Sequence, residues 1–219
     1  VSGVGDVNGD GYDDMLFGAY DNTGEAYVVF GGNNLSNIVL DASQNIPAGS
    51  GFKIKGAVNN WFGKFVSGAG DVNGDGLADL IVGGPGTSGN AVDYVVYGRT
   101  STAAVSLSSG TIAASDGFKI IGTGGSLGYF GSSAGDVNGD GLADVVLGAY
   151  ADLSAYVVYG NANGASAAIS DLGTAGIGFK IVSAQTSSLF GYSVSSAGDV
   201  NGDGLADVVV GAKGVHSAY

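Results

Sequence analysis

Asp71-Val72-Asn73-Gly74-Asp75-Gly76-Leu77-Ala78-Asp79 carries side-chain oxygens at its first, third, fifth and ninth positions. Its opening hexapeptide, Asp-Val-Asn-Gly-Asp-Gly, occurs four times, starting at Asp6, Asp71, Asp136 and Asp199. Spacings of 65, 65 and 63 residues make the chain an array of one structural unit. The unit around the nonapeptide supplies the fold class. Before it, Phe62 to Gly70 alternates small and apolar residues, as an inner strand does. After it come Leu80-Ile81-Val82-Gly83, then Asp93-Tyr94-Val95-Val96-Tyr97, then Gly117-Phe118-Lys119-Ile120-Ile121, each a short β-branched or aromatic run closed by Gly.

Four short antiparallel strands per unit describe a propeller blade, whose two apolar faces are covered by neighbouring blades. The expected fold is all-β: a β-propeller of four-stranded antiparallel blades, about three and a half of them, in one partial propeller over residues 1–219. The expected blades are 1–56 (incomplete), 57–125, 126–184 and 185–219 (incomplete). No stretch shows a capped 3.6-residue period, so almost no helix is expected. The recurring Phe, Tyr, Val and Ile read as inter-blade core. Lys53, Lys119 and Lys180 share one strand position and read as solvated. Two departures stand out. The third unit, counted from Phe130-Gly131, has an inner strand three residues shorter than the others, and the first unit lacks its inner strand. The chain is read as a piece of a longer product.

The composition agrees. Gly is 43 of 219 residues, Pro only 2, and 45% of the chain is apolar. That suits many turns around a real core, and neither collagen nor a disordered chain. The net charge of −13 makes nucleic acid a poor partner. Three Asp in each loop account for most of the 20 acidic residues, and Glu25 is the sole Glu, so the carboxylates read as short, stiff ligands. Four bound divalent ions would bring the charge to about −5. Cysteine is absent, which removes disulfides, thiolate metal sites and Cys nucleophiles. No apolar run is long enough for a membrane-spanning helix.

Oxygen-only donors favour a hard cation, and calcium accepts six to eight oxygens in loose geometry. The expected ligands, with the backbone carbonyl of the seventh position included, are Asp6, Asn8, Asp10, Tyr12 and Asp14; Asp71, Asn73, Asp75, Leu77 and Asp79; Asp136, Asn138, Asp140, Leu142 and Asp144; and Asp199, Asn201, Asp203, Leu205 and Asp207. That makes about four Ca2+ per chain. An EF-hand requires Glu at position 12, where this chain has Phe17, Val82, Leu147 and Val210, so the loop joins strands and not helices. His216, the only His, lies outside every loop, which argues against zinc. In the first loop Tyr12-Asp13 replaces Leu-Ala.

Phe62-Gly63, the Asp loop and Gly83-Gly84-Pro85 together resemble the FG-GAP repeat. The resemblance spans essentially the whole chain. It implies the propeller of integrin α subunits and of many secreted bacterial proteins, with calcium in the hairpin between the first two strands of a blade, opposite the ligand-binding face. The composition looks more like a bacterial surface or secreted protein than an animal one. Gly18-Ala19-Tyr20, Gly148-Ala149-Tyr150 and Gly211-Ala212-Lys213 lack the Pro of the motif.

The expected function is a calcium-binding extracellular structural or adhesion module, localised at the cell surface or secreted. Its expected partner is a protein or glycan, with homo-oligomers or assembly through open blade edges as a further expectation. The alternatives are a carbohydrate-binding propeller, with Tyr20, Trp61, Tyr129, Tyr150 and Tyr192 stacking on sugars, or a non-catalytic segment of a larger secreted enzyme. No catalytic set is found, because the clustered Asp are claimed by the loops. Asn34-Leu35-Ser36 fits the N-glycosylation pattern but stands alone. With Arg99 the only Arg, phosphate and acidic polymers are poor ligands.

Overall fold

Runs of Val, Ile, Tyr and Phe broken every few residues by Gly give short strands, most of them four to six residues long, that pair mainly with strands of their own unit. A computed structural model describes residues 1–20, 24–33, 37–40, 43, 45–56, 61–84, 91–107, 109–122, 127–173, 176–185, 189–214 and 217–218. Pro85, the Asn34-Leu35-Ser36 tripeptide and His216 lie outside the described residues.

The first sheet runs β1 (Ser2–Gly5), β2 (Asp14–Ala19), β3 (Glu25–Val29) and β4 (Gly51–Lys55), each antiparallel to the next. The second runs β5 (Phe65–Gly70), β6 (Asp79–Gly83) and β7 (Val92–Val96). Its chain then passes through β8 (Val105–Ser106) and returns as β9 (Gly117–Ile121) beside β7. The third holds β10 (Phe130–Gly135), β11 (Asp144–Ala149) and β12 (Ser154–Val158). After the two-residue β13 (Ala167–Ala168) it closes with β14 (Gly178–Val182). The fourth holds β15 (Phe190–Gly198), β16 (Asp207–Ala212) and β17 (Ser217–Ala218). The helical content of the described residues is two single 3-10 turns, Tyr150–Asp152 and Ile169–Asp171.

Both faces of the inner sheets are buried. From the second sheet, Leu80, Val82, Tyr94 and Val96 pack with Leu16, Val28 and Phe52 of the first. Ile81, Val95, Phe118 and Ile120 pack with Val145, Leu147, Tyr156 and Val158 of the third. Alternation along a strand thus serves two seams, and each fully buried side chain of this size contributes about 1.5–3 kcal/mol. The loops reinforce the seams. β8 leaves its own sheet and pairs in parallel with β4, and β13 does the same with β9. The outer strand of one sheet is therefore capped by a loop from the next.

Several expectations change. Residues Ser2–Gly5 do form an inner strand in the first unit, with Ser2 opposite Leu16. The third inner strand is not shortened, since β10 and β5 are both six residues long. The turn glycine there is Gly128, at φ +82, matching Gly63 at +84 and Gly191 at +85. Leu127, buried like Phe62 and Phe190, takes the aromatic place. Lys180 is exposed as expected, but Lys53 is only 5% exposed, and its Nζ lies 3.3 Å from Glu25. Pairing with the lone Glu is what lets that ammonium leave water.

Candidate metal centre

Each Asp loop closes the hairpin between the first two strands of a sheet. A β-bulge sets its geometry: the register shifts at Gly5, Gly70, Gly135 and Gly198, each placed opposite the ninth-position Asp. Those glycines have φ between +71 and +79, a region costly for residues with a Cβ. The bulge swings the closing carboxylate under the loop. Asp14, Asp79 and Asp144 are buried there, and Asp207 is half-buried.

The loop is tied by its own peptide groups. In the second copy, Asp71 Oδ1 accepts N–H bonds from Gly74 (2.7 Å) and Asp75 (3.1 Å), and Oδ2 accepts one from Gly76 (2.9 Å). Asn73 Oδ1 accepts from Asp75 N–H at 2.9 Å. Asp75 Oδ1 accepts from Leu77 N–H at 2.9 Å. Asp79 accepts from Val72 N–H at 2.8 Å and from Gly98 N–H at 2.7 Å. The Asp71 and Asp75 bonds recur in all four loops; for example, Gly9, Gly139 and Gly202 each donate to the first Asp at 2.7 Å. Asp14, Asp144 and Asp207 likewise accept from Val7, Val137 and Val200, all at 2.8 Å.

These contacts split the carboxylates into two kinds. At part-exposed Asp6 the hydrogen bond from the Gly11 peptide, with those from Gly9 and Asp10, outweighs burial and holds the carboxyl below its usual range, and exposed Asp199 behaves alike through Gly204. At the closing position burial dominates. It pushes Asp79 up to about 7 and Asp144 up to about 6, against the donors Gly98 and Val72 or Gly160 and Val137. The neighbouring loop carboxylates add repulsion. Asp14 is raised for the same reasons.

The donor set fits a hard cation. A carboxylate offers about four lone-pair sites, and the first, fifth and ninth-position Asp of each loop spend only one to three on N–H donors. Among the described residues the ion pairs are Lys53–Glu25 and Arg99–Asp116, so no loop carboxylate has a cationic side chain beside it. Nor do three acidic or His side chains stand together there as a closed metal-holding group. Their oxygens are turned toward peptide groups.

The seventh and eighth positions have a role that the ligand pattern does not reveal. A Cβ on Gly9 would lie 3.1 Å from Leu77 Cδ2, one on Gly74 3.0 Å from Leu142 Cδ2, and one on Gly139 3.1 Å from Leu205 Cδ2. Ala78, Ala143 and Ala206 press in the same way on Gly5, Gly70 and Gly135. Their N–H groups also donate to the carbonyls of Asp6, Asp71 and Asp136, at 2.8–2.9 Å. Leu-Ala therefore plugs each loop into the preceding one. Tyr12-Asp13, which stands at these positions in the first of the four loops, is exposed. The signal was the Leu-Ala pair itself, present in three loops and missing from the first.

The other end of the strands is aromatic. Tyr20 and Trp61 stack with centroids 6.3 Å apart, and Lys64 Nζ lies 4.7 and 4.8 Å from their rings. Tyr129, Tyr150 and Tyr192 pack on one another at 5.5 and 5.7 Å, and Lys213 Nζ lies 4.5 Å from the Tyr192 ring. All five predicted sugar-stacking residues are thus at one end, three of them engaged with each other.

A buried acid was overlooked. Asp93 is wholly enclosed at the seam between the second and third sheets, beside Gly83 and Gly128, and among the described residues its oxygens find no well-formed hydrogen bond, only the nearby Gly84 peptide. Burial pushes its carboxyl up to about 8, with the Gly84 peptide pulling the other way. Ala26 and Ala155 hold the matching positions opposite Ile54 and Ile181, as Asp93 stands opposite Ile120.

Repeated antiparallel sheets packed face to face, each with one acidic hairpin, define an all-β array of propeller blades. The FG-GAP repeat family model matches residues 62–106 and 190–218. The chain is 28% identical to integrin alpha-V of Gallus gallus over 98% of its length, and 29% identical to integrin alpha pat-2 of Caenorhabditis briggsae over 97%. It is 30% identical to integrin alpha-4 of Xenopus laevis over 71%. The chain is an FG-GAP repeat protein with an integrin-α-like propeller fold. It spans 14–20% of the length of these relatives.

Proposed function

We propose that this chain is a calcium-stabilised extracellular module for adhesion or protein interaction, a single partial propeller with blades near 1–56, 57–125, 126–184 and 185–219. The observation that carries the metal reading is the set of four alike loops, tied by peptide N–H groups and lacking a cationic partner among the described residues. The side-chain oxygens of Asp71, Asn73, Asp75 and Asp79, with the Leu77 carbonyl, hold the ion in the second loop, and the matching residues hold it in the others. Bound calcium supplies charge neutralisation. It favours the ionised closing Asp that burial alone disfavours, and so fastens the hairpin to the sheet. At ten times its Kd, each site adds about 1.4 kcal/mol to stability. Extracellular modules often bind in the range of about 0.1–1 mM, which ties such a fold to the outside of cells.

The similarity to integrin α chains supports the interaction role, with a protein as the partner. The module is not itself an enzyme. The exposed Tyr20–Trp61 platform favours a second reading, a glycan ligand, because flat exposed rings are what sugar faces stack on. Calorimetric titration of chelator-treated protein tests the metal reading. About four calcium ions per chain, falling to three in Asp75→Ala, are expected. No binding, or an unchanged count in the variant, would sink it.

A further inference from the structure

Two sheets treat the same corner differently. In the second, Arg99 follows Gly98 and its Nη1 lies 3.6 Å from Oδ1 of Asp116, the residue before β9. In the third, Asn161 follows Gly160 and Ile177 stands before β14. The positions correspond, because Tyr97 N–H donates to the Asp116 carbonyl and Tyr159 N–H to that of Ile177, both at 2.9 Å. With the ion pair gone, the third sheet has a crevice of about 220 Å3. Its walls are Asn138 and Asp140 of the Asp loop, Tyr159, Asn161, Asn163 and Ile177. The Asn161 wall is fixed: its Oδ1 accepts from Ala165 N–H at 3.2 Å, and its carbonyl accepts from Tyr97 OH of the neighbouring sheet at 2.8 Å.

We propose that this crevice binds one neutral pyranose residue. The lining holds three carboxamides, one carboxylate, a tyrosine and an isoleucine, and no cation. Carboxamides both donate and accept, which matches vicinal hydroxyls, and the ring and aliphatic walls suit the C–H face of a sugar. No Lys, Arg or His side chain lines the crevice, so a phosphate or carboxylate finds no guanidinium or ammonium partner there. The volume is below the roughly 300–1,000 Å3 that drug-sized ligands fill, and it suits a single ring. The site is distinct from the Tyr20–Trp61 platform, gives the glycan reading a specific place, and shares Asn138 and Asp140 with the third Asp loop.

The chain carries its own test, because the second sheet shows how to close the crevice. The 219-residue protein in millimolar calcium is screened by saturation-transfer NMR against glucose, galactose, mannose and N-acetylglucosamine, with glucuronate as the anionic control. At least one neutral sugar binds saturably at one site per chain, and glucuronate binds at least tenfold more weakly. Asn161→Arg with Ile177→Asp rebuilds the ion pair and weakens binding at least tenfold, while Arg99→Asn with Asp116→Ile opens a second site. Asn163→Ala, at an exposed residue, also weakens binding and keeps the test alive should a double variant misfold. No saturable binding of any neutral sugar, equal binding of glucuronate, or binding unchanged by closing the crevice would overturn the proposal. Calcium titration of the same samples reports the metal sites separately.

Discussion

Replacing Asp79 with Ala removes the acceptor of one buried and one part-buried peptide N–H group, Val72 at 2.8 Å and Gly98 at 2.7 Å. Each orphaned donor costs about 1–3 kcal/mol, or about 2–6 together. The substitution also relieves the burial of a carboxyl that its surroundings push up to about 7, so the lower part of that range applies, about 2–4 kcal/mol. For a domain of this size that lowers Tm by about 4–16 °C. The assay is a thermal melt in excess chelator, so that no metal contributes. Asp75→Ala is the control. Its carboxylate is exposed and bonds Leu77 N–H and the Asn73 side chain at the surface, so its loss costs under about 1 kcal/mol without metal. Both variants lose one calcium site. If Asp79→Ala melts within about 1 °C of wild type in chelator, the closing Asp is no scaffold element and the reasoning fails.

Asp93→Ala gives the second sheet the residue that its neighbours carry and stabilises the fold. The raised folded-state value means that the carboxyl's contribution is lost as pH rises from the ordinary carboxylate range through about 8, so the gain is larger in melts at pH 9 than at pH 5; a gain independent of pH would contradict it. Gly76→Ala places a side chain at φ +87 in open space and costs about 1–2 kcal/mol in urea unfolding. Gly74→Ala adds a 3.0 Å approach to Leu142 Cδ2 and costs more, and the reverse order would contradict the plug between loops. Lys53→Ala leaves Glu25 with the Tyr27 hydroxyl as its remaining partner and costs about 1–3 kcal/mol, whereas exposed Lys180→Ala stays within about 0.5. Equal losses in the two would mean that the buried pair contributes nothing.

Oxygen spacing and β-branched runs were readable because they are local: each loop folds on its own peptide groups, and each strand announces itself by alternation. What escaped reading was set by neighbouring units. The Leu77 side chain matters because Gly9, 68 residues earlier, leaves it room. Leu127-Gly128 replaces Phe-Gly because the seam needs an apolar plug and a positive-φ glycine, whichever apolar residue supplies the plug. Lys53 looks like Lys119 and Lys180 in sequence, and here it is Glu25, on the adjacent strand of its own sheet, that marks the buried one. β8 and β13 are two-residue strands whose partners lie in another sheet, so no local period marks them.

The central claim is that the four loops are structural calcium sites, and a thermal melt in excess chelator, repeated in millimolar calcium, tests it most directly. Four sites filled to about ten times Kd predict a rise in Tm of about 10–20 °C. Magnesium at the same concentration should give less, because it holds its waters and demands a compact octahedron. A Tm unmoved by calcium would contradict the account and leave four Asp-rich turns tied only by their own peptide groups.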